Sequence, residues 1–215
     1  MINKTYAVFG LGKYGRAVAG ELSRSGADVI AVDMDEAIVE DAIEEIPICK
    51  CADVTDPEVI KQLGIADVDV VIIAMATRFE SSVMATMLCK DIGVKRIIIK
   101  CDNEFHGKVL KKVGASQIIY PELESGTRLA KNLMSSGFVD VVELSKDISI
   151  VEMDVKPEWV GKSLIELDLR KRYGVNILAI KKGDIVSTIF DPMMLLEEDM
   201  EMIVMVNVSK IEKLK

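Results

Sequence analysis

The sequence predicts an α/β fold: a doubly wound Rossmann parallel sheet followed by a small α+β domain. Three features point to it. Short apolar runs alternate with helical patterns over the first 120 residues, those runs are continuous, and a glycine-rich turn joins the first run to the first helix. A continuous apolar run buries both faces of its strand, as in a parallel sheet covered by helices. Six such strands imply right-handed crossovers and the strand order 3-2-1-4-5-6.

In chain order, residues 6–9 form the first strand and 13–25 the first helix. A strand at 29–32, a helix near 36–46 and a short strand at 48–49 follow. Residues 57–63 are helical, 70–74 form the fourth strand, and 81–92 the next helix. The pairs 96–99 with 104–113 and 117–120 with 122–134 continue the alternation, the last helix ending near Gly137. Beyond it, 139–144 and 148–155 read as strands, the second alternating in period two. Lys182-Gly183-Asp184 is a hairpin turn between strands at 177–180 and 185–186, and 202–206 closes the set. The change of pattern divides the chain into residues 1–140 and 141–215.

Composition excludes several classes. With 27 basic and 35 acidic residues the net charge is −8, which argues against binding nucleic acid by phosphate neutralisation. The longest apolar run, residues 70–76, is far short of the roughly 20 residues a membrane span needs. The chain enters a strand without an apolar leader, so a cytoplasmic protein with no membrane insertion is expected. Four cysteines form no C-x-x-C pair, and Cys49 and Cys51 read as buried strand thiols. The single histidine, His106, lies in the first turn of a helix with no nucleophile motif elsewhere, so no catalytic residue is assigned. Five of the twelve methionines crowd residues 193–205, as core filling or as an oligomer contact.

Gly10-Leu11-Gly12-Lys13-Tyr14-Gly15 is a G-x-G-x-x-G motif between the first strand and the first helix. Gly10 permits the tight turn, Gly12 lets a phosphate approach the backbone, and Gly15 lets helix and strand pack closely. The helix N-terminus offers unpaired N–H groups and a partial positive charge. Asp33 ends the second strand 23 positions after Gly10, where a carboxylate accepts from both ribose hydroxyls and repels a 2′-phosphate. Asp35 is placed as a helix cap. A dehydrogenase would need an acid–base group near its nicotinamide, and residues 141–215 contain no histidine and no evident catalytic pair. A nucleotide sensor is therefore favoured over an NAD(H)-dependent small oxidoreductase. An NADH redox repressor is disfavoured because no basic recognition helix precedes the first strand.

The run YAVFGLGKYGRAVAGELSRSGADVIAVDMDE, then ADVTD, then RIIIKCDNEFHGKVLKKVGASQIIYPE, resembles the RCK (regulator of potassium conductance) subunits of Ktr- and Trk-type potassium uptake systems. The segments VGKSLIELDLRKRYGVNILAI and GDI and a late DP are similar to the C-domain of the same subunits. One copy of each domain places the resemblance with the single-repeat Ktr type.

The resemblance implies a regulatory subunit rather than an enzyme. Its ligand is ATP or ADP, with NAD(H) as the alternative, and its partner is a membrane-embedded potassium transporter subunit. It implies homodimers assembling into an octameric ring. Carried over by residue, Gly10, Gly12 and Gly15 form the phosphate loop with Leu11 and Tyr14, Asp33 holds the ribose, and Met34, Asp53, Val54, Ala74 and Thr77 border the nucleoside. Lys13 stands where related subunits carry an arginine on the γ-phosphate, and Lys100 matches a basic residue after the fifth strand. Glu122 matches an acid that helps hold a divalent cation, Mg2+ or Ca2+, across the dimer interface. A second effector site for cyclic di-AMP is implied in the C-domain, from Ile165, Arg170, Val175, Asn176, Ile177 and Pro192.

Overall fold

The computed structural model describes residues 4–75, 78–134 and 140–214. The chain divides after Leu123 into two compact units. In the first, β1 (Thr5–Phe9), β2 (Asp28–Asp33), β3 (Cys49–Cys51), β4 (Val70–Ile73), β5 (Arg96–Lys100) and β6 (Gln117–Ile119) form one parallel sheet. Its order is β3-β2-β1-β4-β5-β6, as the alternating pattern predicts. The crossovers are carried by α1 (Lys13–Arg24), α2 (Glu36–Ala42), α3 (Pro57–Gln62), α4 (Phe79–Asp91) and α5 (Glu104–Val113).

The apolar runs are continuous because each face of the sheet has its own core. Ala7 and Phe9 of β1 join Val71 and Ile73 of β4 and Ile97 and Ile99 of β5 on one side. Val8, Val70 and Ile72 join Ala19 of α1 and Ala42 of α2 on the other. Short polar side chains set the helix starts. Asp35 accepts from the Ala37 N–H (3.0 Å), Asp56 from Glu58 N–H (2.8 Å) and Asn103 from His106 N–H (2.8 Å), each capping a helix. The helix α2 is shorter than its pattern, and residues 43–45 continue as a turn before buried Ile46. The expectation for Cys51 is corrected. Because β3 is an edge strand of only three residues, Cys49 is buried and Cys51 is exposed.

The helix α6 (Pro121–Met134) runs from the end of the first unit into the second. Within the second unit β7 (Asp140–Glu143), β8 (Ile148–Asp154), β9 (Asn176–Lys182), β10 (Ile185–Ser187) and β11 (Met200–Asn207) form an antiparallel sheet of order β10-β9-β11-β8-β7. Period-two alternation buries Ser149, Val151 and Met153 of β8 against Met200, Met202, Val204 and Val206 of β11. Met200 and Met202 are thus core filling, whereas Met193 is exposed. Two short helices, α7 (Leu164–Leu167) and α8 (Leu169–Tyr173), were not expected from the sequence and bury Leu167 and Leu169 in this core. Among the described residues no helix is long and apolar enough to cross a membrane.

Candidate functional site

At the carboxyl end of the parallel sheet, beside the β1/β4 switch point, lies a cleft of about 210 Å³. The strand order reverses there, so the loops after neighbouring strands diverge and leave a crevice. Its lining includes Gly10, Gly12, Asp33, Met34, Asp53, Val54 and Ala74, seven of the residues the sequence selects.

The glycine turn is tied to both flanking strands. Gly10 N–H donates to Val32 O (2.8 Å), and Ala74 N–H donates to Phe9 O (2.7 Å). Gly10 has φ 89°, and a Cβ there would press on Met75 Cγ at 2.8 Å. A Cβ on Gly15 would overlap the Gly10 carbonyl oxygen and sit 3.1 Å from Ala74 Cβ, so α1 approaches β1 only through this glycine. Gly12 differs. It caps α1 with φ −60°, no side chain caps that helix, and a Cβ there would meet nothing within 4 Å. The fold itself makes no demand for glycine at position 12.

Asp33 supports the turn with both carboxylate oxygens. Leu11 N–H donates to Oδ2 (2.6 Å) and Asp35 N–H to Oδ1 (3.1 Å). A carboxylate has about four lone-pair sites, so each oxygen retains acceptor capacity toward the cleft. Asp53 Oδ1 accepts from the Thr55 N–H (2.9 Å) and hydroxyl (2.8 Å). These two bonds hold its carboxyl below the usual range, with a smaller contribution from the Arg78 charge.

Several selected residues lie elsewhere. The Leu11 side chain is buried in the core, and Lys13 and Tyr14 head α1 outside the cleft lining. Lys100 and Glu122 form an ion pair at 2.7 Å, with Asp102 3.5 Å from the same ammonium, also outside the lining. Thr77 falls outside the described residues. One chain's donor set does not fit a resident divalent cation. Glu122 is already matched by Lys100, and among the described residues no three metal-ligating side chains cluster.

The cleft also contains Ile38, Thr55, Met75, Arg78 and Ser81, which the sequence reading missed. For Met75 and Arg78 the available signal was topological: residues just after β4 border the switch point whatever their type. In the second unit, all six residues assigned to the second effector line one cavity of about 570 Å³ on α7, α8 and the start of β9. Asp168 lines it too.

The site and sheet order are matched by sequence relationships. Residues 6–121 match the TrkA-N domain and residues 148–215 the TrkA-C domain. The chain belongs to the TrkA-N/TrkA-C family. Within it, the Ktr system potassium uptake protein C of Bacillus subtilis (strain 168) is 38% identical over 182 residues, covering 85% of this chain and 82% of that protein. The Ktr system potassium uptake protein A of Vibrio alginolyticus is 35% identical over 84% of this chain and 82% of that protein. A crystal structure of the GsuK RCK domain matches with a TM-score of 0.66 at 18% identity, covering 99% of this chain. The TrkA-N/TrkA-C chain spans about half (47%) of that structure, and the likeness concerns the fold.

Proposed function

We propose that this chain is the nucleotide-binding regulatory subunit of a potassium uptake system, located in the cytoplasm, gating a membrane-embedded transporter subunit as ATP and ADP exchange. The observation that carries the reading is the 38% identity to Ktr system potassium uptake protein C over 85% of the chain. The cleft supplies the chemistry. Phosphates would lie over Gly12 and the uncapped α1 N-terminus, where N–H groups and the helix dipole favour an anion. The ribose hydroxyls would donate to Asp33, and the base would extend toward Ala52, Asp53 and Val54.

No enzymatic role is assigned. The single histidine, His106, stacks on Phe79 at 3.9 Å between centroids, and its backbone N–H belongs to the Asn103 cap. A ligand gates only by binding two conformations with different affinity, so the γ-phosphate must make contacts in one ring shape that ADP lacks. Exposed Met84 and Met87 on α4 and Phe105 on α5 favour a homo-oligomer, because such apolar surface is usually covered; the octameric ring of dimers is what the family resemblance implies.

A thermal-shift panel with ATP, ADP, NADH and NADPH tests the reading. Stabilisation by ATP and ADP without nicotinamide turnover is expected. Stabilisation by NADH alone would replace it with the NADH redox-sensor or oxidoreductase alternative.

A second effector is supported by the gathering of Ile165, Arg170, Val175, Asn176, Ile177 and Pro192 around one cavity. Cyclic di-AMP at a two-fold axis would meet apolar walls, an amide and a cation from each of two subunits. Arg170 is the one basic residue among the described residues of the lining, so the affinity for a phosphate would depend on it. Calorimetry on the full chain should show Arg170→Ala weakening cyclic di-AMP while leaving ATP unchanged.

A further inference from the structure

The nucleotide cleft has a mouth bridged by two side chains from different loops. Met34 stands just after β2, and Arg78 stands exposed on the turn that leads from β4 into α4. Arg78 Nη1 meets Met34 Sδ, although 44 residues separate the two in sequence. A thioether is a weak acceptor, so this contact is easily exchanged for a better one.

Nothing in the helix explains an arginine at position 78. It is the N-cap of α4, yet its side chain makes no cap bond, and its backbone N–H is taken by Met75 O at 2.9 Å. A cation at a helix N-terminus also opposes the macrodipole. The cleft supplies a reason. With phosphates at Gly12 and the ribose at Asp33, the base is left the part of the cleft lined by Met34, Ala52, Val54 and Arg78.

We propose that Arg78 is the base-specificity residue of this cleft: Arg78 and Met34 part as a nucleotide enters and take the purine ring between guanidinium plane and thioether. The inference rests on the nucleotide reading above and deepens it. A guanidinium is planar, weakly hydrated and stacks on aromatic faces, and a thioether is a polarisable partner for a ring. Purines offer the larger π-surface, so they gain more than pyrimidines. The contact is with the base and not with the phosphates, so its contribution is the same for every adenine nucleotide.

Calorimetry with the full chain, using adenosine, AMP, ADP, ATP and CMP, tests this. Arg78→Ala should weaken each adenine ligand by the same factor, about 3- to 30-fold, the range of a cation–π contact from exposed to desolvated. Arg78→Lys should fail to restore affinity, because lysine keeps the charge and lacks the plane. A methyl resonance of Met34 should shift on adding adenosine through the ring current. A loss that grows with the number of phosphates, full rescue by lysine, or unchanged affinity in Arg78→Ala would overturn the proposal while leaving the nucleotide reading intact. No binding of any nucleotide by the wild-type chain would overturn both.

Discussion

The Leu11 N–H donates to Asp33 Oδ2 at 2.6 Å, joining the glycine turn after β1 to the end of β2. The other oxygen accepts from the Asp35 N–H at 3.1 Å. One carboxylate therefore shapes the turn that would take the phosphates and lines the cleft where the proposed ribose would sit.

Asp33→Asn should damage both roles at once. An amide has one acceptor oxygen, so its NH2 group would face either the Leu11 or the Asp35 N–H, donor against donor. The expected cost is about 1–3 kcal/mol of stability, read in a denaturant titration. ATP and ADP should weaken by equal factors, since the ribose is common to both. Unchanged stability would show that the two amide bonds do not hold the turn.

Gly12 and Gly15 separate ligand from fold. Gly12→Ala adds a methyl that meets no protein atom within 4 Å, at a φ of −60° open to any residue. Its melting temperature without ligand should stay near the wild type, while the ATP-induced shift disappears. Gly15→Ala drives a methyl into the Gly10 carbonyl oxygen, backbone that cannot swing away. That overpacking should cost about 1–3 kcal/mol or more before any ligand is added. Equal destabilisation by the two substitutions would contradict the assignment.

The sheet was legible because its central strands bury both faces, so that runs such as Val70–Ile73 are continuously apolar and too short for a helix of ordinary length. The turn between the two short C-terminal helices was not legible in the same way. Each is too brief for a 3.6-residue period to develop, and Asp168 separates them in a left-handed conformation at φ 43°. A signal did exist in Ser163 and Glu166, whose reciprocal capping box marks the start of α7. Cys51 was misplaced because period-two alternation identifies a strand's faces without saying whether the strand lies at an edge. Arg78 was missed because no glycine or acid pattern marks it within the loop after β4, from which the family resemblance selects only Ala74 and Thr77. Only the strand order brings that loop to the cleft.

The Lys100–Glu122 pair should give a small acid-sensitive contribution. Its carboxyl is held below the ordinary glutamate value, chiefly by the hydrogen bond with Lys100. A depressed folded-state pKa adds stability above the unfolded value of about 4.3 and loses it as pH falls through the folded value. For Lys100, burial lowers the pKa, but Glu122 and Asp102 together raise it; that share is lost only as pH rises through the raised value. The Glu122 side chain is 68% exposed, so the pair contributes under about 1 kcal/mol. Glu122→Gln should lower the melting temperature slightly at pH 7, and the difference should vanish near pH 3. A constant difference across that range would assign the effect to something other than ionisation.

Lys13 makes the sharpest demand on the proposed ATP/ADP switch. It is the first residue of α1, exposed, at the helix end where a positive charge opposes the dipole. Its placement is therefore unfavourable for the empty protein, by about 0.3–1 kcal/mol at low salt. An anion brought to the same end reverses the sign: the ammonium and the helix N–H groups then act on one charge together. Lys13→Ala should leave the melting temperature of the ligand-free chain unchanged or slightly raised. The same substitution should weaken ATP by on the order of tenfold, the range of one hydrogen bond to a charged group. ADP, lacking the terminal phosphate, should lose less. Titrating both nucleotides into wild type and variant decides the matter. Equal losses would place Lys13 on the shared phosphates and remove it from the switch, and a fall in ligand-free stability would make it a structural residue of α1.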